Sequence, residues 1–325
     1  MGVAPPSLSS VRGSAVTFGP RRPRYRAGMA DDLCLLQIHA HPDDEASKGA
    51  GTSAKYAAEG IRNVLVCCTG GEEGDILNPA MERPEVRANL SKVREDELAA
   101  SARAIGYASV QMLGYRDSGM PDTEANARPD NFANAPLDEA VERFVKIIRA
   151  ERPQVIITYH EDRNWYPHPD HIRVWEISGP AFDAAGDPDK YPDAGEPWQP
   201  SKLYYVAWSM ARVKALHAVY LERGQESPFA RWFEGENSMP DRDERFTTRI
   251  DVSEYLGARR AALLAHATQV DPNGHWMAIP DELVREVYPW EDYILERSLV
   301  PGTVPEGGFE EDLFAGLREP ARRAQ

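Results

Sequence analysis

The amino-acid sequence predicts an α/β fold with a doubly wound, mostly parallel Rossmann-like sheet flanked by helices, and a smaller mixed carboxyl-terminal region. Apolar, β-branched runs alternate with amphipathic helical patterns between residues 33 and 208. A polar loop follows each apolar run, and in an open α/β sheet such loops meet at the carboxyl edge of the strands. At 325 residues the chain can bury a sizeable core.

The first strand candidate, residues 33–38, ends before Pro42, which has no N–H for a central strand and therefore turns the chain. The next elements alternate in type as strands and helices: helix 48–59, strand 63–68, helix 87–105, strand 109–113, helix 137–150, strand 154–159, a helix from His171 to about Gly179-Pro180, and strand 202–208. From residue 210 the alternation weakens, and the sequence predicts helix 210–222, a short strand at 246–250 and a clearly patterned helix at 253–268. A parallel sheet with helical crossovers follows from this order.

Composition divides the chain into four segments. Residues 1–30 hold five Arg and no acidic residue, which predicts a disordered leader or a misassigned start with Met29 as the initiator. Residues 31–209 form the predicted catalytic core, and residues 210–300 form an α+β extension that packs on the core and its pocket. The Pro- and Gly-rich residues 301–325 are expected to be a flexible tail.

The charge and the cysteines exclude several classes of partner. The net charge of −15 argues against a nucleic-acid partner, since phosphate binding normally needs a basic face. No apolar stretch reaches the roughly 20 residues that cross a bilayer, so no membrane partner is expected. Cys34, Cys67 and Cys68 lie in strand candidates without a C-x-x-C pair, which favours buried reduced thiols in a cytoplasmic protein. The oligomeric state stays open.

Metal-ligating side chains occur in two polar clusters, one after strand 33–38 and one after strand 154–159. His41 and Asp44 are close enough on one turn to share an ion, and His171 at the next helix start supplies a third ligand. Imidazole and carboxylate ligands with one position left for water are typical of catalytic zinc. The same ligand set also accepts Fe²⁺.

Proton-moving side chains accompany these ligands. Asp43 is the predicted general base, because its neighbour Asp44 is committed to the metal. His168, as imidazolium, is expected to stabilise an oxyanion or protonate a leaving amine, with Tyr166 as a second donor. Asp170 is expected to orient a histidine. His266 is expected to be structural or solvated.

Two Gly-containing loops follow the second and third strand candidates, at residues 69–75 and 114–120. The first loop is not a nucleotide loop, because its acidic side chains would repel phosphates. The tentative substrate contacts around these loops and the first helix are Lys48, Glu72, Arg116 and Asp117.

At these residues the sequence resembles the LmbE-like zinc-dependent N-deacetylases. Their marks are Ala-His-Pro-Asp-Asp-Glu after an apolar strand and a later His-Pro-Asp-His, which stand here at 40–45 and 168–171. The resemblance extends from Asp32 to the carboxyl-terminal helix. It implies hydrolysis of an N-acyl group on a glucosamine conjugate, with zinc held by the three ligands above, Asp43 as base and His168 as electrostatic partner.

Within this family, residues 47–50, 69–79 and 113–120 look like the mycothiol S-conjugate amidase branch. That resemblance implies cleavage of the cysteinyl–glucosamine amide of a small thiol conjugate, giving a mercapturic acid and glucosaminyl-inositol in thiol-dependent detoxification. Lys48 either reads the cysteinyl part or is a solvated lysine. The family's Gly-Glu-Arg-Gly is Gly-Glu-Glu-Gly at 71–74, so the substrate contact of position 73 is in doubt.

Two alternatives remain. The first is a deacetylase of N-acetylglucosaminyl-inositol or another amino sugar, which would use the same ligands and the same base. The second, from another class, is a metal- or sugar-binding protein without catalysis. Retention of Asp43 beside the ligands disfavours this second alternative, because a closed structural zinc site has no use for a spare base.

Overall fold

The computed structural model describes residues 15–17, 33–161, 163, 166–233 and 238–318. The strands within these residues form one sheet of eight: β1 (Ala15–Thr17), β2 (Cys34–His39), β3 (Arg62–Thr69), β4 (Ser109–Tyr115), β5 (Val155–Tyr159), β6 (Lys202–Val206), β7 (Thr248–Asp251) and β8 (Trp290–Ser298). The α-helices are α1 (Asp44–Ser47), α2 (Ala50–Ala58), α3 (Pro84–Ala88), α4 (Leu90–Ile105), α5 (Leu137–Glu151), α6 (Pro169–Ala185), α7 (Met210–Glu222), α8 (Leu256–Ala265) and α9 (Asp281–Val287).

The strand order is β1-β4-β3-β2-β5-β6-β8-β7, and the five strands from β4 to β6 are parallel. The first parallel strand in the chain, β2, is central: Leu36 faces Val64 of β3 on one side and Ile156 of β5 on the other. The chain winds outward through β3 and β4, then returns to β5 and β6. This confirms the doubly wound sheet and places a crevice outside the carboxyl ends of β2 and β5.

The core lies on both faces of the parallel strands. β2 and β5 are buried along their whole length, as their continuous apolar runs predict for strands covered on two sides. Helix α5 covers the sheet with a stripe of Val141, Phe144, Val145 and Ile148, all buried. Each such side chain contributes about 1.5–3 kcal/mol through burial. The packed sheet therefore gives the loops at its carboxyl edge a rigid base.

Three predicted helices differ from the structure in their bounds. The helix predicted at 48–59 begins only at Ala50, because Lys48 and Gly49 separate it from the short helix α1, and the φ of +84° at Gly49 belongs to the left-handed region. Helix 87–105 is interrupted at Asn89 between α3 and α4. The helix expected to end near Pro180 continues to Ala185, because the buried Ala181 and Phe182 keep its apolar face on the core.

Residues 210–300 add two strands to the main sheet. β8 pairs antiparallel with β6 on one side and with β7 on the other. No strand was predicted at 290–298, because Glu291 and Asp292 interrupt the apolar pattern. Glu291 accepts hydrogen bonds from the N–H groups of Gly51 (3.1 Å) and Thr52 (2.9 Å), so β8 also holds the first turn of α2.

The two ends of the chain are only partly described. In the predicted leader 1–30, residues 15–17 form the edge strand β1, and the other residues lie outside the described part. In the predicted flexible tail 301–325, Glu310, Leu313 and Phe314 are buried, which departs from that expectation. The cause is packing, since the Phe314 ring lies 5.2 Å from that of Tyr56. Residues 319–325 lie outside the description.

All three cysteines are buried and unpaired, in agreement with the predicted thiols. Burial raises the pKa of Cys34 to about 12 and raises those of Cys67 and Cys68 well above the usual range. These thiols therefore stay protonated and pack as small apolar groups. In the described part of the chain, no α-helix is long and apolar enough to cross a bilayer.

Candidate active site

The candidate site lies at the carboxyl edge of the parallel strands. The turn after β2 carries residues 41–45, the loop after β4 carries residues 116–119, and the start of α6 carries residues 168–171. The imidazole rings of His41, His168 and His171 lie with centroids 4.5–5.5 Å apart. The sheet topology has therefore brought together the two clusters that the sequence separates by more than a hundred residues.

Asp44 joins the two predicted histidine ligands. Its Oδ2 lies 3.5 Å from His41 Nδ1 and 3.3 Å from His171 Nε2, and it accepts the His41 backbone N–H at 3.0 Å. Its Oδ1 accepts from Lys48 Nζ at 2.7 Å. Burial alone would raise the pKa of Asp44, but the neighbouring His171 and Lys48 side chains hold it well below the usual range. Asp44 is therefore an anionic carboxylate with one oxygen turned towards both imidazoles.

These three residues have the donor set and the spacing of a metal site. One potential ligand atom from each of His41, Asp44 and His171 lies within 4.8 Å of the others, and all three residues are buried. The buried His171 Nε2 lies 3.3 Å from Asp44 Oδ2, but this contact does not have the geometry of a hydrogen bond, so the nitrogen has no hydrogen-bond partner among the described residues. Burial lowers the pKa of His171 to about 4, so its imidazole is neutral, as a metal ligand must be. The group can hold a metal ion.

Asp170 fixes the orientation of His41. Its Oδ2 lies 3.2 Å from His41 Nε2, so the opposite ring nitrogen, Nδ1, faces Asp44. Ser118 holds Asp170 in turn, with its N–H donating to Oδ2 at 2.9 Å and its hydroxyl donating to Oδ1. Asp170 is fully buried. A carboxylate behind a ligand histidine is the usual way in which proteins fix the ring and its tautomer.

Asp43 stands beside the ligand group in a strained conformation. Its φ of 120° is rare for a residue with a Cβ, and such strain costs about 1–3 kcal/mol. Arg94 of α4 holds it: Nη2 donates to Asp43 Oδ2 at 3.0 Å and to Pro42 O at 2.5 Å. Burial and then the neighbouring Asp44 raise the pKa of Asp43 to about 6, against the opposing charge of Arg94.

Arg94 also ties this turn to the loop after β3. Its Nη1 donates to the carbonyl oxygen of Gly71 at 2.7 Å. A side chain at Gly71 would place its Cβ 2.3 Å from that nitrogen, and the φ of Gly71 is +67°. Glycine is therefore required where the Gly-rich loop passes Arg94. Through Arg94, the loop at 69–75 helps to hold Asp43, the general-base candidate. This contact accounts for the glycine at position 71, and no nucleotide-binding role is needed to explain it.

Glu45 connects the turn to the carboxyl-terminal region. Its Oε2 accepts the Asp43 N–H at 3.0 Å, and its Oε1 lies 2.6 Å from His266 Nε2 and accepts from the Ser101 hydroxyl. Burial lowers the pKa of His266, but the carboxylate of Glu45 outweighs this and raises it. His266 is fully buried, so it is structural, and the expected solvated alternative is wrong. It helps to hold the strained turn at Asp43.

His168 is placed as a neutral donor. Its Nδ1 accepts the Asp170 N–H at 3.2 Å, which leaves Nε2 to carry the proton. Burial, followed by the charge of His41, lowers the pKa of His168, so the expected imidazolium form is disfavoured. Tyr166 lies nearby, with its ring 4.9 Å from that of His171, and its side chain is exposed. Both residues can offer a hydrogen-bond donor to a group at the ligand cluster.

A second group of ligand-type residues shares His41. It comprises His41, Asp117 and His168, also buried and within 4.8 Å of one another. Its atoms are better paired than those of the first group, because Asp117 Oδ1 accepts the Gly119 N–H at 2.8 Å and His168 Nδ1 accepts from Asp170. The predicted ligand group therefore remains the stronger candidate.

The four residues proposed as substrate contacts differ in the protein groups with which they are paired. Lys48 is bound to Asp44 and lies 5.7 Å from the centre of the Tyr159 ring, so it is not a freely solvated lysine. Glu72 Oε2 accepts the Asp117 N–H at 3.0 Å. Arg116 forms an ion pair with Glu73. These pairs join the two Gly-containing loops at the rim.

Sequence reasoning missed Arg94, Ser118 and Tyr159. Tyr159 stacks on His171 with ring centroids 4.6 Å apart and planes 9° apart. Arg94 lies four residues before Leu98 on the buried face of α4, and an arginine at such a helical spacing from an apolar residue was a usable signal. Neither Ser118 nor Tyr159 stands out from its neighbours in the sequence.

Comparison with known proteins gives the family of this site. Residues 36–182, which include every predicted metal ligand, match the family described as PIG-L: GlcNAc-PI de-N-acetylase. A mycothiol S-conjugate amidase of Streptomyces coelicolor is 42% identical over 298 residues, covering 90% of this chain and 100% of that protein. A 1D-myo-inositol 2-acetamido-2-deoxy-alpha-D-glucopyranoside deacetylase of Geodermatophilus obscurus is 42% identical over 302 residues, covering 89% and 99%.

A solved structure supports the fold. The N,N'-diacetylchitobiose deacetylase from Pyrococcus horikoshii superposes with a TM-score of 0.56 at 18% identity, covering 85% of this chain and 88% of that chain. At this identity the similarity concerns the architecture of the sheet and its helices.

Proposed function

Because the chain belongs to the PIG-L, GlcNAc-PI de-N-acetylase family, we propose that it is a zinc-dependent amidase acting on mycothiol S-conjugates. The bond cleaved is the amide between the cysteinyl and glucosaminyl parts, and the products are a mercapturic acid and glucosaminyl-inositol. The family's relatives are hydrolytic amidases and deacetylases, and the amidase relative matches over its whole length.

One observation carries the proposal: Asp43 is held in a strained conformation beside a buried ligand group whose His171 Nε2 has no hydrogen-bond partner in the described part of the chain. Strain of this kind persists where function uses it. A protein that merely binds metal gains nothing from a second carboxylate fixed beside the ligands. The arrangement therefore favours hydrolysis over non-catalytic metal or sugar binding.

His41, Asp44 and His171 would hold the metal. Two imidazole nitrogens and one carboxylate oxygen are the ligands that zinc takes in hydrolases, and Fe²⁺ accepts the same set. When bound, zinc polarises a carbonyl and lowers the pKa of a coordinated water to about 7.

The chain's own residues then have distinct tasks. Asp43 takes the proton of the attacking water and returns it to the leaving nitrogen, with Arg94 fixing its carboxylate. His168 Nε2–H and the Tyr166 hydroxyl donate hydrogen bonds to the oxygen of the amide carbonyl. Asp170 and Ser118 keep the His41 ring in place throughout. Each task uses a group that lies at the carboxyl edge of the sheet.

Deacetylation of N-acetylglucosaminyl-inositol is the second candidate. The deacetylase relative is as similar in sequence as the amidase relative, at 42% identity each. Both reactions hydrolyse an amide on the same sugar nitrogen, so the ligands and Asp43 serve either one. The difference is the size of the acyl group that the cleft accepts.

We also propose that the substrate is a small thiol conjugate and that the reaction takes place in the cytoplasm. The three buried, unpaired cysteines suit a reducing compartment.

The deciding experiment incubates the zinc-loaded protein with an S-alkylated mycothiol and, separately, with N-acetylglucosaminyl-inositol, and follows products by chromatography and mass. The negative control is the Asp43→Asn variant, which keeps the shape of the side chain but removes its ability to act as a base. Release of the N-acetylcysteine S-conjugate by the wild type supports the amidase. Release of acetate alone moves the protein to the deacetylase reaction, and no product from either substrate overturns the proposal.

A further inference from the structure

Three tryptophans from the carboxyl-terminal half of the chain meet in one place. The Trp208 ring lies 5.3 Å from that of Trp232 and 5.7 Å from that of Trp276, the second pair in an edge-to-face arrangement. All three indoles are half-buried. We call these residues the tryptophan cluster. Trp208 and Trp232 pack on a small core that contains Met210 and Leu283, whereas Trp276 packs on a separate apolar cluster, and all three residues keep part of their surface exposed to solvent.

Topology places the tryptophan cluster at the edge of the sheet where the candidate site lies. Trp208 follows the end of β6, and β6 runs parallel to β5 as its direct neighbour. The loop after β5 carries His168 and His171. Because neighbouring parallel strands end at the same edge, Trp208 lies at the edge of the sheet from which the loop with these two histidines also begins.

The opposite side of the cluster is also anchored at the site. The segment that delivers Trp276 begins at His266, whose Nε2 lies 2.6 Å from Glu45 of the catalytic turn. Further along, Gln269 Nε2 donates to the carbonyl oxygen of Asp75 in the loop after β3, at 3.0 Å. Trp276 itself packs against the apolar cluster that includes Ala46, the neighbour of Glu45. Two of the three segments that form the cluster, those with Trp208 and Trp276, thus begin at the edge of the sheet that carries the candidate site.

We propose that the tryptophan cluster is the subsite for the sulfur substituent of the conjugate, and that it favours flat, apolar groups such as benzyl. This inference rests on the proposed amidase function. Indole rings offer wide faces and edges that bind aromatic groups by stacking and by edge-to-face contact. Partly exposed aromatic surface next to a reactive site is typical of a ligand-binding wall. Through Trp232 and Trp276, residues 210–300 would then bind part of the substrate, in addition to adding two strands to the sheet.

The alternative is that the three indoles only fill space between α7, α9 and the sheet. A space-filling role requires apolar volume, which leucine supplies. It does not require aromatic faces, and it predicts equal effects on every substrate. The two roles therefore separate when substrates differ in the sulfur substituent alone.

The test compares S-benzyl and S-methyl mycothiol as substrates of the zinc-loaded full chain. Trp208→Ala and Trp276→Ala should each lower kcat/KM for the S-benzyl conjugate by about 10- to 100-fold, the value of burying one aromatic group, and change the S-methyl value by less than about threefold. Trp208→Phe should recover most of the S-benzyl activity, whereas Trp208→Leu should not.

Trp198→Ala is the matched control. Its indole is half-buried like the others, but its Nε1 donates to the carbonyl oxygen of Pro153 at 2.7 Å, at the amino edge of β5. This variant should leave the ratio of the two kcat/KM values unchanged. Cooperative thermal unfolding of each variant shows that it is folded.

Binding gives a readout that does not depend on turnover. In the Asp43→Asn background, calorimetry should show tighter binding of S-benzyl than of S-methyl mycothiol, and Trp208→Leu should remove that difference. Equal losses for both conjugates in the tryptophan variants, or an unchanged preference, overturn the subsite and leave the amidase standing. If the wild type cleaves neither conjugate, the proposed function fails and the subsite fails with it.

Discussion

Two clusters of buried charged side chains lie at opposite edges of the same sheet, and they differ in how completely their polar atoms are paired. At the amino edge of β6, Lys202 Nζ donates to Glu310 Oε1 at 2.5 Å. Glu310 Oε2 accepts from the hydroxyls of Tyr204 and Thr248. We call this the paired cluster, since both oxygens of its carboxylate are used: Lys202, Tyr204, Thr248 and Glu310.

At the carboxyl edge the pairing is incomplete. His171 Nε2 is buried without a hydrogen-bond partner among the residues described, and Asp43 keeps a φ of 120°. We call this the open cluster: His41, Asp43, Asp44 and His171. Burying a polar atom without a partner is costly, so such an atom persists where a ligand compensates for it. Burial of charge is thus common to the two clusters, whereas an unpaired ligand-type atom distinguishes the open cluster from the paired cluster.

The largest expected effect is on turnover in the open cluster. Asp43→Ala removes the general base and should lower kcat by about 10²- to 10⁴-fold. The metal content should stay at the wild-type level, because the three ligands are intact. Steady-state kinetics together with metal analysis checks both parts. The matched control is Asp189→Ala on an exposed loop, which should leave kcat unchanged. If the Asp43→Ala variant turned over substrate at the wild-type rate, Asp43 would not be the general base.

A substitution in the paired cluster should lower the free energy of unfolding. Glu310→Ala leaves the Lys202 ammonium buried without its carboxylate, which should lower the free energy of unfolding by about 3–5 kcal/mol. Chemical denaturation measures this loss, and metal content per folded molecule should not change. Replacing both residues, Lys202→Met with Glu310→Leu, should recover much of the stability. A Glu310→Ala variant as stable as the wild type would mean that the paired cluster does not hold the tail.

An intermediate effect, on metal affinity, is expected at Asp170, which orients His41 of the open cluster. Asp170→Asn weakens the hydrogen bond that orients His41, and should lower metal affinity by about 10- to 100-fold. Competition with a chelator of known affinity measures the change. Thermal unfolding of the metal-free protein should move little. If metal affinity is unchanged, His41 does not depend on Asp170 for its orientation.

The smallest effect concerns a surface pair in the tail. Asp312 accepts hydrogen bonds from Arg318 Nε at 2.6 Å and from the Phe314 N–H at 3.0 Å. Burial raises the pKa of Asp312, but these bonds outweigh it and lower the pKa below its usual range. Arg318→Gln should lower the free energy of unfolding by less than about 1 kcal/mol near neutral pH.

The pH dependence of this pair follows from the direction of the shift. A lowered pKa in the folded state gives stability that is fully present above the unfolded value of about 4, and it is lost as pH falls through the folded value. The difference between wild type and Arg318→Gln should therefore shrink from pH 6 to pH 3. A difference that grows on acidification would contradict the assignment.

The sequence predicted the open cluster well for a physical reason. His41 lies in the turn after β2 and His171 in the helix start that follows the loop after β5, and parallel strands bring such connections to one edge whatever the length of chain between them. The central strands were predictable because burial on both faces leaves continuous apolar runs. Periodicity and topology together were enough to assemble the three ligands.

The sequence did not predict the support around the ligands. Glu45 meets His266 across 221 residues, and no local pattern encodes a contact between two helices so far apart. β8 was missed because its charged residues break the strand pattern, yet its Glu291 bonds to the start of α2. The buried residues of the tail were missed because the surrounding sequence is rich in Pro and Gly, although Leu313 and Phe314 pack in the main core.

The most direct test of the central claim is the zinc content of the purified wild type and of His171→Ala, each dialysed against the same buffer after zinc loading. The account predicts one bound zinc per wild-type chain and its loss in His171→Ala, while Glu310→Ala keeps its zinc despite lower stability. Retention of zinc by a folded His171→Ala protein with wild-type affinity would contradict the claim that the open cluster is the metal site.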